Sequence, residues 1–590
     1  MCGIAGVILK SGDADPDILD RLAAALAHRG PDGSGRFVNA GLGLAHTRLA
    51  IIDLETGDQP LMGGEGHVLI ANGEIYNFVE LRQEIGAGAF QTKSDCEVAL
   101  PLMARHGASF GASLRGMYAI AAAQPRAART FLARDPFGIK PLYYMEDAEG
   151  VYFASEPKAF FAAGIAAPKL NSAVRDEFLQ LQFTSGPETI YQGVRRVLPG
   201  ETLTVEAGAV TDRGTQAALT TEAPQPLSEA DALSRVGDAL MDSVMVHQRS
   251  DVPYGMFLSG GVDSSAILAC MRDLNERPVE AFTAGFSGTG AHDERAHAKY
   301  VAAAAGAKFH SVEFSEDDFW SLLPAVVAAF DDPVADYAIL PTYKLGRAAR
   351  DHGLKVVLSG EGGDEMFAGY GRYRRALRPW WLGGRKMRAR GILDGLGLLH
   401  EASSDWRARL AASEATTLPG RSKLQTLQAI DCADWLPNDL LAKLDRCLMA
   451  HGVEGRTPML DPEVAKVAMS LPDGLKVKGG QGKYILRKWL EGALPEAEAF
   501  EPKRGFTVPV AEWIGAKGRR IGEAVAGTDC IAEICDPGRV VDLFAGLEGN
   551  AARHHGQAAW VLLFYALWHC IHLQGAAAEG DAFDVLAAAV

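Results

Sequence analysis

Tyr254-Gly255-Met256-Phe257-Leu258-Ser259-Gly260-Gly261-Val262-Asp263-Ser264-Ser265 is the stretch on which the fold of the chain turns. Its apolar run, Tyr254–Leu258, reads as a buried strand, its glycine pair as a turn, and the residues from Ser264 to Leu274 as a helix. Reading onward, Val279–Gly285 is a second strand, His292–Ala305 a helix and His310–Phe314 a third strand; Leu354–Leu358 is another, after a helix near Thr342–His352. This alternation predicts a doubly wound parallel sheet, with a mostly helical extension after residue 375. Reading backward, Ser228 and Asp231 have the spacing of an N-cap and a first-turn carboxylate, so a helix opens there and runs to about Arg249. Residues 204–228 are small, polar and weakly patterned, an edge hairpin and linker. The first 200 residues are β-rich, with short apolar runs at Ile4–Leu9, Gly43–Ile52, His67–Ala71, Tyr118–Ala122 and Val151–Ala154. Amphipathic segments near Asp15–His28 and Cys96–Arg105 predict helices covering those sheets.

The chain has 590 residues, a length of roughly two to four domains. Hydrophobic residues make up 48% and charged residues 22%, which excludes disordered and collagen-like classes. With 58 Lys and Arg against 74 Asp and Glu, the formal charge is −16. Such a chain repels nucleic-acid phosphates, so no nucleic-acid partner is expected. Its clearest basic stretch is Arg372–Arg390. The eight cysteines show no C-x-x-C spacing, and the seven other than Cys2 read as reduced, mostly buried thiols. The longest apolar candidate, Trp560–Leu573, is too short for a membrane span and contains His569 and His572. MCGIAGVILK has no basic n-region, so no secretory signal is expected. The expectation is a cytoplasmic protein with no membrane partner.

Cys2 draws attention through chain-end chemistry. Removal of Met1 would leave one residue with both a thiol and an α-amine, and the amine can act as base for its own thiol near neutral pH. Attack on an amide also needs an oxyanion hole and a substrate anchor. Asn72 and Gly73 can aim a side-chain and a backbone N–H at one oxygen. Arg48 can pair with a carboxylate and Asp95 with an ammonium. Taken singly, Arg48 also reads as a surface ion pair, and Asn72-Gly73 as a type I′ turn.

In the loop quoted first, Gly260 and Gly261 let backbone approach a phosphate, and the following helix N-terminus offers free N–H groups. Ser259, Ser264 and Ser265 add hydroxyls. There is no G-K-[ST], so this is not a Walker loop. Asp263 would repel phosphate unless a cation intervened, which points to Mg²⁺. A second glycine-rich loop, Ser359-Gly360-Glu361-Gly362-Gly363-Asp364-Glu365, follows the strand at 354–358. That places it at the C-terminal edge of the same sheet, where ligands bind in such folds.

MCGIAG, HRGPD (28–32), HTRLAI (46–51), NGEIYN (72–77), Ser94-Asp95 and RDPFG (134–138) resemble class II, N-terminal-nucleophile glutamine amidotransferase domains over about residues 2–200. The two glycine-rich loops resemble N-type ATP pyrophosphatases. Asp331-Asp332-Pro333, Pro341-Thr342, KLDR (443–446), RTPMLD (456–461), KYILR (483–487) and PKRGF (502–506) extend the likeness to glutamine-dependent asparagine synthetases over roughly 2–520. The resemblance implies a glutaminase domain at 2–205 with an Ntn-type αββα sandwich. A linker follows at 206–235, then an ATP-dependent synthetase domain at 236–590.

By resemblance Cys2 is the nucleophile and Asn72 and Gly73 the oxyanion hole. Arg48, Asp95, Glu74, Ile51 and Ile52 bind glutamine. ATP lies against Leu258, Ser259, Gly260, Gly261, Asp263, Ser264, Ser265, Ala284, Ser359 and Gly360. Mg²⁺ sits on Asp263 and Asp364. Lys483 stabilises transition-state charge, and Glu361 positions or deprotonates ammonia, which travels through an apolar internal tunnel; Lys503 and Arg504 read either as a grip on leaving pyrophosphate or as a surface ion pair. The implied reaction takes L-aspartate, ATP and glutamine to asparagine, AMP, pyrophosphate and glutamate. Lys93, Leu448 and Gly452 depart from the family pattern. Alternatives are amidation of a sugar acid or peptide, a β-lactam- or lasso-type cyclase, and a non-catalytic sensing or scaffold protein. Oligomeric state stays open, a homodimer included.

Overall fold

The computed structural model describes residues 2–286, 293–401, 405–415, 420–501, 508–548 and 553–588. The strands of the first half, in chain order, are β1 (Gly3–Leu9), β2 (Gly33–Asn39), β3 (Leu42–Arg48), β4 (Leu61–Met62), β5 (Val68–Ile75) and β6 (Gly116–Gln124). There follow β7 (Arg129–Arg134), β8 (Tyr143–Glu146), β9 (Gly150–Ala154), β10 (Arg195–Arg196), β11 (Glu201–Glu206) and β12 (Ala209–Thr215). They form two six-stranded sheets, ordered β10-β8-β9-β1-β3-β2 and β12-β11-β7-β6-β5-β4. The period of two along each strand assigns its faces. Ile4 and Ile8 of β1, Leu42 and Leu44 of β3, and Val68 and Ile70 of β5 meet between the sheets. Leu69, Ala71 and Ile75 of β5 face outward onto the helix Ala99–His106. Ala5 and Val7 of β1 face outward onto the helix Pro16–Ala25, capped by the Asp15 carboxylate. The result is the expected αββα sandwich.

The second half holds β13 (Tyr254–Phe257), β14 (Glu280–Phe286), β15 (Lys308–Phe314), β16 (Val356–Leu358) and β17 (Glu454–Arg456). All neighbours pair parallel, in the order β15-β14-β13-β16-β17. The order reverses at β13, which opens a crevice beyond the ends of β13 and β16. The helices Val262–Leu274, Arg295–Ala304 and Ile339–Asp351 lie where the sequence reading puts them. Ser228 caps the helix Glu229–His247 by accepting from the Asp231 N–H.

Two expectations need correction. Strand β17 lies in a region read as helical, because Glu454-Gly455-Arg456 has no apolar alternation. It is a strand because pairing with β16 satisfies its backbone and buried ion pairs satisfy its charges. The run 43–52 is shorter as a strand: β3 ends at Arg48, and by Asp53 the backbone has turned to φ 56°.

The two halves meet through buried charge and aromatic packing. Arg29, fully buried, donates to Glu156 at 2.7 Å and to Asp445 at 2.8 and 3.1 Å. Arg446 pairs with Glu156 at 2.6 Å and Asp331 at 2.9 Å. Arg196 pairs with Asp332 at 2.6 Å. Nearby, Phe178 of the first half packs on Phe564 and Tyr565, and Tyr191 on Trp568. Those partners lie on the helix Arg553–His572, buried on nearly all sides. Among the described residues no helix is long and apolar enough to cross a membrane. All eight cysteines are free and buried. Removing one partner of a buried charge network strands the others without water, so Arg29→Ala is expected to cost about 3–5 kcal/mol. Urea denaturation measures it; a midpoint equal to wild type would show the network to be energetically idle.

Candidate active sites

The sandwich builds the first site by register. Cys2 continues the inward face of Ile4 and Ile8, and Arg48 that of Leu42 and Leu44. Asn72 and Glu74 continue the face of Val68 and Ile70. Gly3 pairs with Thr47, so Cys2 and Arg48 fall at the same end of the sandwich. Asn72-Gly73 is therefore strand, paired with Ala119 and Tyr118, and not a hairpin turn. Gly73 is required there, because a Cβ would lie 2.2 Å from the Met117 carbonyl.

The Cys2 N–H donates to Asn72 Oδ1 at 3.1 Å. Asn72 Nδ2 is buried with no hydrogen-bond partner among the described residues. The Cys2 carbonyl accepts from Arg29 Nε at 3.2 Å. Burial pushes the Cys2 thiol up, and a hydrogen bond from the Leu49 N–H opposes that rise. Arg48 is buried, pairs with the exposed Asp58 at 2.7 Å, and donates to the carbonyls of Ile52 and Asp53. The Ile51 carbonyl accepts from the Asp251 N–H at 3.0 Å. Asp95 is buried and accepts from the Ile75 N–H at 2.7 Å; burial raises its pKa. Burial and the nearby Glu454 push the Glu74 carboxyl well above the usual range.

The second site is a cavity of about 650 Å³ at the crevice beside β13. It is lined by Leu258, Ser259, Gly260, Gly261, Asp263, Ser264, Ala284, Ser359, Gly360, Glu361, Asp364 and Lys483. The loop after β13 is held by its own hydroxyls. Ser264 Oγ lies 3.0 Å from Ser259 Oγ, and the Gly261 N–H donates to Ser259 Oγ at 3.2 Å. Lys483 bridges Asp263 and Asp364, the latter at 2.7 Å. Burial alone would lower the Lys483 pKa; the two carboxylates overcome it and raise it. Their packing is tight: a Cβ on Gly363 would sit 2.3 Å from Asp263 Oδ1, and one on Gly369 1.8 Å from Asp364 Oδ1. Mg²⁺ takes one or two carboxylates when substrate phosphates and water complete its shell, so this pair fits it. Among the described residues no group of three or more His, Cys, Asp or Glu forms a metal site.

One predicted residue stands apart. Ser265 is not a lining residue; it is fully buried in the helix after the loop. Lys503 and Arg504 lie outside the described residues. The family departures Leu448 and Gly452 do not line the cavity: Leu448 is buried, and Gly452, at φ +62°, faces Pro31 of the other half. Lys93 is exposed, and its N–H donates to Asp53 at 2.8 Å.

Among the wall groups to which the sequence reading gave no role are Glu365, Asp336, Lys443 and Arg487. Lys443 pairs with Asp336 at 3.0 Å. Burial, then Asp364 and Asp431, raise Glu365 to about 7. KLDR and KYILR contained two of them, but a lone Lys or Arg in a helix carries no signal of which face it takes. The two sites are linked directly: the Ser359 N–H donates to the Arg456 carbonyl at 2.8 Å, and the Arg456 guanidinium reaches Glu74 at 3.4 Å.

The sequence matches the asparagine synthase family over residues 235–570 and the glutamine amidotransferase domain family over residues 1–216. It is 33% identical to "Asparagine synthetase [glutamine-hydrolyzing] 1" of Bacillus subtilis, over 97% of both chains. It is 34% identical to "Putative asparagine synthetase [glutamine-hydrolyzing]" of Mycobacterium tuberculosis, over 97% of this chain and 98% of that one. "Asparagine synthetase B [glutamine-hydrolyzing]" of Escherichia coli is 31% identical over 87% of this chain and 83% of its own. With a sandwich and a parallel sheet each carrying its own site, the chain belongs to the glutamine-hydrolysing asparagine synthetase family and is a ligase-type enzyme of ATP- and glutamine-dependent amidation.

Proposed function

We propose that the acceptor is L-aspartate and that the reaction passes through an acyl-AMP, releasing pyrophosphate, AMP and asparagine. A carboxylate resists nucleophiles because its charge repels them and oxide is a poor leaving group; adenylation removes both obstacles. The observation that carries the reading is the cavity at the sheet's switch point, where both glycine-rich loops, Glu361 and the Lys483–Asp263–Asp364 cluster share one wall.

In the sandwich, Cys2 attacks the glutamine amide. The unpartnered Asn72 Nδ2 and the Gly73 N–H receive the developing oxyanion. Arg48 and Asp95 hold the α-carboxylate and α-ammonium, with Glu74, Ile51 and Ile52 lining the pocket. In the cavity, backbone at Leu258, Ala284, Ser359 and Gly360 cradles adenine and ribose. Ser259, Gly260, Gly261 and Ser264 take the phosphates. Asp263 and Asp364 would hold Mg²⁺, which screens phosphate charge when bound. Lys483 neutralises charge on the nucleotide during attack by the acceptor, Arg487 faces the departing pyrophosphate, and Glu361 orients or deprotonates ammonia. The glutaminase unit is residues 2–205, the linker and edge segment, which adds strand β12 to the sandwich, 206–235, and the synthetase unit 236–590.

AMP release tests the acceptor, measured with aspartate and with a panel of sugar acids and peptide carboxylates, each with and without glutamine. Aspartate is expected to exceed every other acceptor by about 100-fold or more, the margin of a site built around a buried polar partner. A faster sugar acid or peptide would replace aspartate as substrate. AMP formed from an acceptor bearing its own amine, without any ammonia donor, would make the enzyme a cyclase.

A further inference from the structure

Residues 372–390 carry eight Lys and Arg and no Asp or Glu, in a chain whose net charge is −16. At their centre stand Trp380, Trp381 and Leu382, exposed to 82%, 68% and 62%. No other three consecutive large apolar residues are exposed among the described residues. The turn that carries them closes on itself: Leu382 N–H and Gly384 N–H donate to the Pro379 carbonyl, each at 3.0 Å, and Gly383 N–H to that of Trp380 at 3.1 Å. Its base is anchored. Arg372 and Arg388 both pair with the buried Asp431, at 2.6 and 2.8 Å, and Met387 is buried in a cluster with Tyr373, Leu410 and Leu424. Arg372 lies over Tyr370 and Arg388 over Trp435, two residues of the 650 Å³ cavity wall. Of the other six cations, Arg375, Arg378, Arg385, Lys386 and Arg390 are exposed and Arg374 is half-buried.

We infer that this tip docks the enzyme on an anionic phospholipid surface. Three features choose a bilayer over other occupants. The turn offers three large apolar side chains, short of the roughly 800 Å² per partner that a stable protein interface uses. A bilayer needs no matching groove: tryptophans enter the interfacial layer while neighbouring Arg and Lys meet lipid phosphates. The two indole planes stand at 89°, so they present no shared platform for successive nucleobases. The acidic remainder of the chain is repelled by the same surface, so contact is favourable through this tip and sets the enzyme's orientation.

Co-sedimentation of the full-length enzyme with vesicles of phosphatidylglycerol and phosphatidylcholine in equal parts tests the assignment, with tryptophan emission as a second readout. Binding is expected to shift emission to the blue, to weaken in high salt and to be absent with pure phosphatidylcholine. A Trp380→Ser/Trp381→Ser variant and an Arg378→Glu/Arg385→Glu/Lys386→Glu variant are each expected to lose about tenfold or more in vesicle partitioning. Both should keep wild-type glutaminase turnover in solution, which certifies their folding. Failure of wild type to pellet with the anionic vesicles would overturn the inference, as would equal pelleting of either variant or equal pelleting with pure phosphatidylcholine. An oligomer seen by sedimentation velocity that the Trp380→Ser/Trp381→Ser variant dissociates would also overturn it, by assigning the tip to a second copy of the chain.

Discussion

Cys2→Ala is expected to remove glutamine-dependent synthesis, by about 10³-fold or more, while synthesis from added ammonium salts continues at the wild-type rate. The argument rests on position. Cys2 sits at the sandwich end with its N–H on Asn72 Oδ1, and the cavity residues belong to the second half of the chain. Hydrogen for thiol at a buried site removes one heavy atom and leaves the backbone bond to Asn72 intact, so the fold should persist. The assay is asparagine formation with each nitrogen source, with circular dichroism as the control. Loss of both activities in a folded variant would mean that the two centres are not separable.

Asp263→Ala and Lys483→Ala should each stop AMP formation, by about 10²–10³-fold, and leave glutamine hydrolysis running. Lys483 is the cation shared by Asp263 and Asp364, held at φ +59° at the mouth of its helix. Without it two carboxylates line a cavity meant for a polyphosphate, and their charge opposes the ligand. Without Asp263 the ammonium keeps one partner, and a carboxylate for the proposed Mg²⁺ is gone. The pair of variants therefore distinguishes charge balance from metal binding: excess Mg²⁺ should improve nucleotide binding in Lys483→Ala more than in Asp263→Ala. Wild-type AMP release in either would remove that residue from the mechanism.

Much of this was legible in the sequence because the deciding signals are local. A strand, a glycine pair and a capped helix are contiguous at 254–274, and parallel topology follows from alternation. Cys2, Arg48, Asn72 and Glu74 were legible through the short motifs that hold them, although their meeting at one end rests on the pairing of β1 with β3 and their packing on β5. What could not be read was set by distant pairing. β17 is a strand only through β16 and its buried charges. Ser265 reads like its neighbour Ser264, yet the turn of the helix takes it into the core. Asp336 and Lys443 are 107 residues apart, and nothing in either segment announces that they share a wall. The ring stack of Arg372 on Tyr370 is likewise absent from a simple count of basic residues.

The aromatic seam between the halves has a consequence for how the protein is made. Phe178 and Tyr191 are synthesised before any strand of the parallel sheet, but the helix that covers them, Arg553–His572, is made only after all five of those strands. Through most of translation the nascent first half carries a bare aromatic face. The early half is thus sealed by a helix made much later, and a ribosome that stalls before residue 553 releases a product whose early half is sticky and unfinished, a ready target for chaperones and proteases.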